Sequence, residues 1–138
     1  MLIDCCLLAV ISGQTIVKAP VNTAARVGSR VIFNYTAITG DDYVIWNYAP
    51  AGRTWSIRIY VSKKEKVDRN LQDKFDIERD DVNGVHNLVI KNVRIDLGVR
   101  YTYGFALEGS KGSVELVALR MLCSFTASFR WGPRELAP

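Results

Sequence analysis

Residues 28–37 read GSRVIFNYTA and residues 94–105 read RIDLGVRYTYGF. Each follows a turn-forming glycine or aspartate with alternating side chains, the pattern of a half-buried β-strand. Residues two apart share a side of a sheet, so Val31, Phe33 and Tyr35 fall together on one strand. Tyr101, Tyr103 and Phe105 do the same on the other. Both strands therefore present rings to a common interior.

Working outward, residues 15–119 break into short runs rich in Val, Ile, Tyr, Thr and Phe. TGDD, APAGR, DDVNG and EGSKG lie between them, stretches where positive φ or an Asx turn costs little. Strands are expected at 15–19, 22–27, 29–36, 43–49, 54–61, 73–79, 85–93, 100–107 and 113–119. Pro20 divides the first two, which suits an edge strand that changes sheets. Alternation sends Val44, Trp46 and Tyr48 inward with Phe75, Ile77, Leu88 and Ile90. The expected fold is all-β, a sandwich of two antiparallel sheets packed face to face.

The chain has 138 residues, 49% hydrophobic and 23% charged, enough for one domain with an ordinary core. Its net charge of +4 is spread along the chain. The densest basic run, SKKEK at 62–66, reads as a solvated turn or edge, so no nucleic-acid partner is expected. Cys5 and Cys6 sit in the opening apolar run and Cys123 near the other end, which leaves the body of the chain no cysteine pair. Residues 1–13 read as a signal peptide, with an apolar run leading into small residues. The run is shorter than the roughly 20 residues of a membrane span. Asp4 and the lack of a preceding Lys or Arg are atypical of such a leader, and an N-terminal strand is the alternative. Residues 14–119 form the domain, and residues 120–138 a tail in which Arg120 and Arg130 interrupt any span. NYT at 34–36 is a glycosylation sequon, with Asn34 on the side opposite Phe33 and Tyr35.

The spacing resembles the variable-type (V-set) pattern of the immunoglobulin superfamily over nearly all of residues 15–119. Trp46 lies eleven positions after Tyr35, like the family's buried tryptophan after its first cysteine. Tyr101 stands two residues before Tyr103, at the place of the tyrosine corner. Lys74 and Asp96 match the positions of the family's ion pair beneath the sandwich. The chain departs from the pattern in two ways: Tyr35 and Tyr103 occupy the cysteine positions, and the corner is one residue longer. The resemblance thus implies an immunoglobulin-like V-set sandwich with no intersheet disulfide. Losing that bridge costs about 2 to 5 kcal/mol. Two buried tyrosine rings beside Trp46, each returning roughly 1.5 to 3 kcal/mol, are expected to replace it.

The missing cysteine pair, together with GSRVIFNYT, resembles the N-terminal domain of the allorecognition (Alr) receptors of colonial hydroids. That resemblance implies an extracellular domain of a longer cell-surface receptor, or a secreted product, that binds another copy of itself on an opposing cell. The alternative is a heterophilic or secreted ligand-binding module. By the same resemblance, recognition uses the exposed face of the sheet holding the third, sixth and seventh strands. Ile45, Asn47, Thr102, Gly104 and Ala106 are its outward positions, and the small residues Gly104 and Ala106 would admit another backbone. On the adjoining hairpin, Trp55, Ile57 and Ile59 are expected to face the core, leaving Arg58 and Tyr60 as anchors. Asp41 and Asp42 would rim the face opposite Lys111.

No catalytic constellation stands out, and neither enzyme activity nor a cofactor or small-molecule substrate is expected. His86, the single histidine, reads as an outward polar residue on a strand beside Asn87. Asp76, Glu78, Asp80 and Asp81 read as a solvated strand face leading into a hairpin turn rather than a calcium site.

Overall fold

A computed structural model of the chain describes residues 13–50, 52–64, 66–97 and 99–120. The proposed leader, 1–13, and tail, 120–138, lie outside the described residues except for residues 13 and 120. Ten strands form among the described residues: β1 (Thr15–Lys18), β2 (Thr23–Arg26), β3 (Val31–Phe33), β4 (Thr36–Ile38), β5 (Val44–Ala49), β6 (Ile57–Val61), β7 (Phe75–Asp80), β8 (Val85–Ile90), β9 (Arg100–Phe105) and β10 (Gly109–Leu119). They make two five-stranded sheets. In the first, β1 pairs with β4, β3 and β4 both pair with β8, and β7 closes the far edge. The second runs β2-β10-β9-β5-β6.

The proline at position 20 performs the expected division. β1 joins the first sheet and β2 crosses to the second, where it runs parallel to β10. All other pairings are antiparallel. Beyond β6, Val67 makes a single bridge to Tyr60 in place of a further edge strand.

The core is aromatic. Tyr35 and Trp46 are fully buried and Tyr103 nearly so. The Tyr35 and Tyr103 ring centroids are 5.0 Å apart, and Trp46 lies 5.7 Å from the first and 5.9 Å from the second. No cysteine occurs in residues 13–120. The two tyrosines thus touch across the sandwich at the positions the bridge would occupy. Burial first, with the neighbouring Tyr103 and Asp42 side chains adding to it, holds the Tyr35 phenol well above its ordinary value, so it stays neutral. Its hydroxyl donates to the Gly104 carbonyl at 3.3 Å.

The tyrosine corner is present despite the extra residue. A 3₁₀ turn at Ile95–Leu97 brings the Leu97 carbonyl within 2.7 Å of the Tyr101 hydroxyl, which donates to it. The expected Lys74–Asp96 ion pair is replaced. Arg94, two residues from Asp96 along the chain, grips that carboxylate with two N–H groups at 2.7 and 3.0 Å. Lys74 lies nearest Asp73, at 3.5 Å. A short-range bidentate contact thus wins over a longer-range one.

His86 is a second correction. It faces inward with Leu88 and Ile90, as their alternation requires, and is 4% exposed. Tyr60 is a third. The ladder pairs Trp46 with Tyr60 but Asn47 with Arg58, which makes Ile59 an extra residue in β6. This β-bulge resets the alternation and turns Tyr60 into the core beside its neighbour Trp46. Its hydroxyl meets His86 Nδ1 at 3.1 Å.

If the two rings replace a covalent link, truncating either Tyr35 or Tyr103 to alanine should cost about 3 to 5 kcal/mol in denaturant unfolding. Restoring cysteine at both positions should leave the domain less stable than the native pair even where the bridge forms. The disulfide returns about 2 to 5 kcal/mol, less than two large buried rings. A more stable double-cysteine variant would show that the rings are passengers.

Candidate recognition face and loop end

The outer side of the second sheet carries a polar row across three strands. Asn47 on β5 stands opposite Arg58 on β6 and Thr102 on β9. The Arg58 guanidinium donates to Asn47 Oδ1 at 2.6 Å, and the Asn47 amide donates to Thr102 Oγ1 at 3.3 Å. Three of the residues expected at the interface are thus brought together, with the exposed Arg58 held in place by the buried Asn47.

Other expected members are placed differently. Ala106 and Lys111 are exposed, but Lys111 pairs with Glu108 at 3.2 Å within its own hairpin. Gly104 is buried because the chain's own backbone covers it. A Cβ there would collide with the Gly109 carbonyl and approach the Lys111 amide to 2.8 Å. Its small size serves an intramolecular approach, not one by a partner. Ile45, the cross-strand neighbour of Gly104, is withdrawn with it at 3% exposure. Tyr60 is excluded by the bulge in β6.

Trp55, expected in the core, is half exposed. It precedes β6 in the turn after β5, outside the alternating ladder. The Arg53 guanidinium lies 5.2 Å from its ring. Arg53 also lines a groove with Thr54, Ser56, Arg100, Thr102 and Val117, next to the polar row. The sequence signal that marks this region is a tryptophan and an arginine two residues apart in a turn, where neither has a core to fill.

At the end of the sandwich where β4–β5, β7–β8 and β9–β10 are joined, Asp42 organises the loops. It is buried, which opposes ionisation, yet the backbone N–H groups of Leu107, Tyr43 and Glu108 and the Gln14 amide outweigh this. They hold its carboxyl below the ordinary carboxylate range. The contacts to Leu107 and Glu108 are 2.8 and 2.9 Å long. Asp42 is therefore a clamp on the β9–β10 hairpin rather than a rim charge facing Lys111.

Beneath these loops a polar chain runs inward from the exposed Asp81 to the buried Tyr60 and His86. Arg79 pairs with Asp81 at 2.7 Å and donates to the Tyr60 hydroxyl at 3.1 Å and the Ser62 carbonyl at 2.8 Å. Tyr60 in turn meets His86. Burial, followed by the charge of Arg79, pushes the His86 imidazole below its ordinary value, with Asp81 acting weakly the other way. The imidazole is neutral at pH 7. No group of three or more metal-ligating residues occurs among the described residues, and no helix among them is long and apolar enough to cross a membrane.

A histidine buried neutral binds its proton more readily in the unfolded chain. Stability is therefore full above pH of about 6.5 and falls as the pH drops below it. Asp42, Asp81 and Asp96, whose carboxyls are held low, lose their contribution only nearer pH of about 4. Urea midpoints between pH 7.5 and 5 should thus fall in the native chain and flatten in His86→Gln. An equal slope in both would place the proton uptake elsewhere. Asp42→Ala should cost about 1.5 to 3 kcal/mol and speed hydrogen exchange at the Leu107 and Glu108 amides most.

No protein-family model matches the chain, and no curated protein matches it. Solved structures do. A chain in the crystal structure of Dpr1 IG1 bound to DIP-eta IG1 is similar with a TM-score of 0.63 and 16% identity, over 80% of this chain and 99% of that one. Duf (Kirre) D1 is similar at 0.59 and 19%, over 78% and 98%. The titin M10–obscurin-like 1 Ig complex contains a chain similar at 0.56 and 9%, over 78% and 94%. With its two sheets, buried tryptophan and tyrosine corner, the chain is by fold an immunoglobulin-like domain.

Proposed function

We propose that the chain is a cell-surface recognition and adhesion domain that binds a second copy of itself through the outer side of the second sheet. The observation that carries this reading is the contrast between the two sheet faces. The outer side of the first sheet bears Asp76, Glu78 and Asp80, all exposed, and the sequon residue Asn34 stands exposed between the buried Phe33 and Tyr35. A glycan on Asn34 would keep that face in water. The outer side of the second sheet instead offers the Arg58–Asn47–Thr102 row beside the groove of Arg53 and Arg100, with Trp55 half exposed. Tryptophan and arginine carry interface energy out of proportion to their number. A self-complementary patch closes into a dimer about a two-fold axis, and many weak copies add at a cell contact. In this reading residues 1–13 are a leader, and the domain works outside the cell, as part of a longer receptor or secreted.

The complex of Dpr1 IG1 with DIP-eta IG1 joins two different immunoglobulin domains. It favours, as second reading, a partner of the same fold and different sequence.

Sedimentation equilibrium of the secreted chain over a wide concentration range separates the two. Homophilic recognition gives a reversible monomer–dimer equilibrium, and Trp55→Ala or Arg58→Glu raises its Kd about thirtyfold, the equivalent of about 2 kcal/mol. A monomer at every concentration sinks the homophilic reading and leaves the heterophilic one.

A further inference from the structure

Residues 62–74 carry the chain from β6, an edge of the second sheet, to β7, an edge of the first, across one flank of the sandwich. The backbone of this segment is fixed from within. Val67 and Leu71 are buried, Val67 bridges Tyr60, and the Asp68 amide donates to the Ile59 carbonyl at 2.8 Å. With those residues turned inward, Lys64, Lys66 and Arg69 are left exposed. The Gln72 side-chain amide donates to the Val67 carbonyl at 3.0 Å, and the Lys91 ammonium, just beyond β8, donates to the Gln72 carbonyl at 2.7 Å. A fourth cation is thereby tied to the same segment.

These cations border two adjoining grooves that share Lys66, Val67 and Gln72. Arg58, Lys64 and Arg69 line one, with the acid Asp68; Lys91 lines the other, with the acid Asp76. Both carboxylates are turned to the backbone of their own segment. Asp68 accepts from the Asn70 amide at 3.4 Å, and Asp76 from the Ile77 amide at 2.8 Å. Elsewhere Arg30, Lys74, Arg79, Arg94 and Lys111 each meet a carboxylate, whereas Lys64, Lys66, Arg69 and Lys91 meet none among the described residues. A single small anion gains little from any one exposed cation in water. A polymer with a row of anions gains from all of them at once and releases its counterions on binding. The aromatic side chains lining the grooves, Tyr60 and Phe75, are buried, so no ring is presented for a base to stack on. Ile59 and Val67 are buried as well, and no large apolar side chain there is exposed to enter a bilayer.

We propose that this flank binds a sulfated polysaccharide, its sulfates pairing with Lys64, Lys66, Arg69 and Lys91. Basic clusters of this kind suit such polymers or nucleic acids, and the lack of an exposed ring selects the sugar. The choice also rests on the extracellular placement proposed above, but not on self-association.

The full chain is titrated calorimetrically, at physiological ionic strength, with a heparin-derived dodecasaccharide, its desulfated counterpart, a short duplex DNA and phosphatidylserine vesicles. Saturable binding is expected with the sulfated sugar, and weaker or none with the others. Lys66→Gln combined with Arg69→Gln should weaken it about tenfold or more and lower the slope of log K against log salt by about two. Lys18 and Arg26 are exposed on β1 and β2, at the opposite edges of the two sheets. Replacing both with glutamine removes the same charge and should change the affinity less than about threefold. An equal loss in the two double variants would reduce the effect to net charge and overturn the site. Desulfated sugar, DNA or vesicles bound as tightly as the sulfated sugar would overturn the polysaccharide assignment. No binding to any probe would overturn the flank as a binding surface. Self-association is read separately by sedimentation, so the homophilic reading stands or falls apart from this one.

Discussion

Two sheets with no covalent link between them must be held by what they share, and here that is a cluster of three rings. Tyr35 belongs to the first sheet's side, Tyr103 and Trp46 to the second, and all lie within 6 Å of one another. Much of the local sequence answers to this cluster. Position 112 carries glycine, because a Cβ there would collide with the Tyr103 hydroxyl. The Tyr35 hydroxyl anchors on the Gly104 carbonyl, directly beneath the hairpin backbone that folds over that residue. Trp46 is fixed from its other side by its indole N–H donating to the His86 carbonyl at 2.9 Å. Packing has taken over the role of a bond, and it has done so by directing the backbone around it.

The second determinant is a single inserted residue. Without the bulge at Ile59, strict alternation would send Arg58 and Tyr60 to the same side of β6. With it, Arg58 reaches Asn47 on the surface while Tyr60 reaches His86 in the interior. One extra residue thus builds both the polar row on the outer side of the sheet and the Tyr60–His86 contact in the interior. Bulges gather where a side chain must be re-aimed, and this one aims two.

Most of the architecture was legible because period-two alternation is strong where one sheet face is buried. The strands and the inward set around Trp46 follow from it; the crossing at Pro20 follows from proline's place at strand edges, and the tyrosine corner from the resemblance to the immunoglobulin pattern. Two failures have one cause. His86 stands two residues from Leu88, so alternation already placed it inside, but a lone histidine with no visible partner argued for the surface. Its partner was Tyr60, which alternation without the bulge sent outward. Nothing in the composition of TWSIRIYV marks which residue is extra. Trp55 departs for another reason: its apolar side chain continues the alternation of β6, but the residue lies in the turn before that strand. The Lys74–Asp96 expectation rests on position in the pattern alone, and position does not reveal that Arg94 is nearer. Of the expected interface, the row of Asn47, Arg58 and Thr102 is assembled by register, while Gly104 and Ile45 are hidden by a hairpin curl that no local pattern announces.

A core without sulfur also changes what the domain asks of its surroundings while it forms. No oxidant, isomerase or thiol exchange is needed to complete residues 13–120, and reducing agents have no bond there to attack. Cys5, Cys6 and Cys123 have no partner within the sandwich with which to mispair. Maturation of this sandwich is consequently a matter of chain collapse alone, with its outcome independent of redox poise.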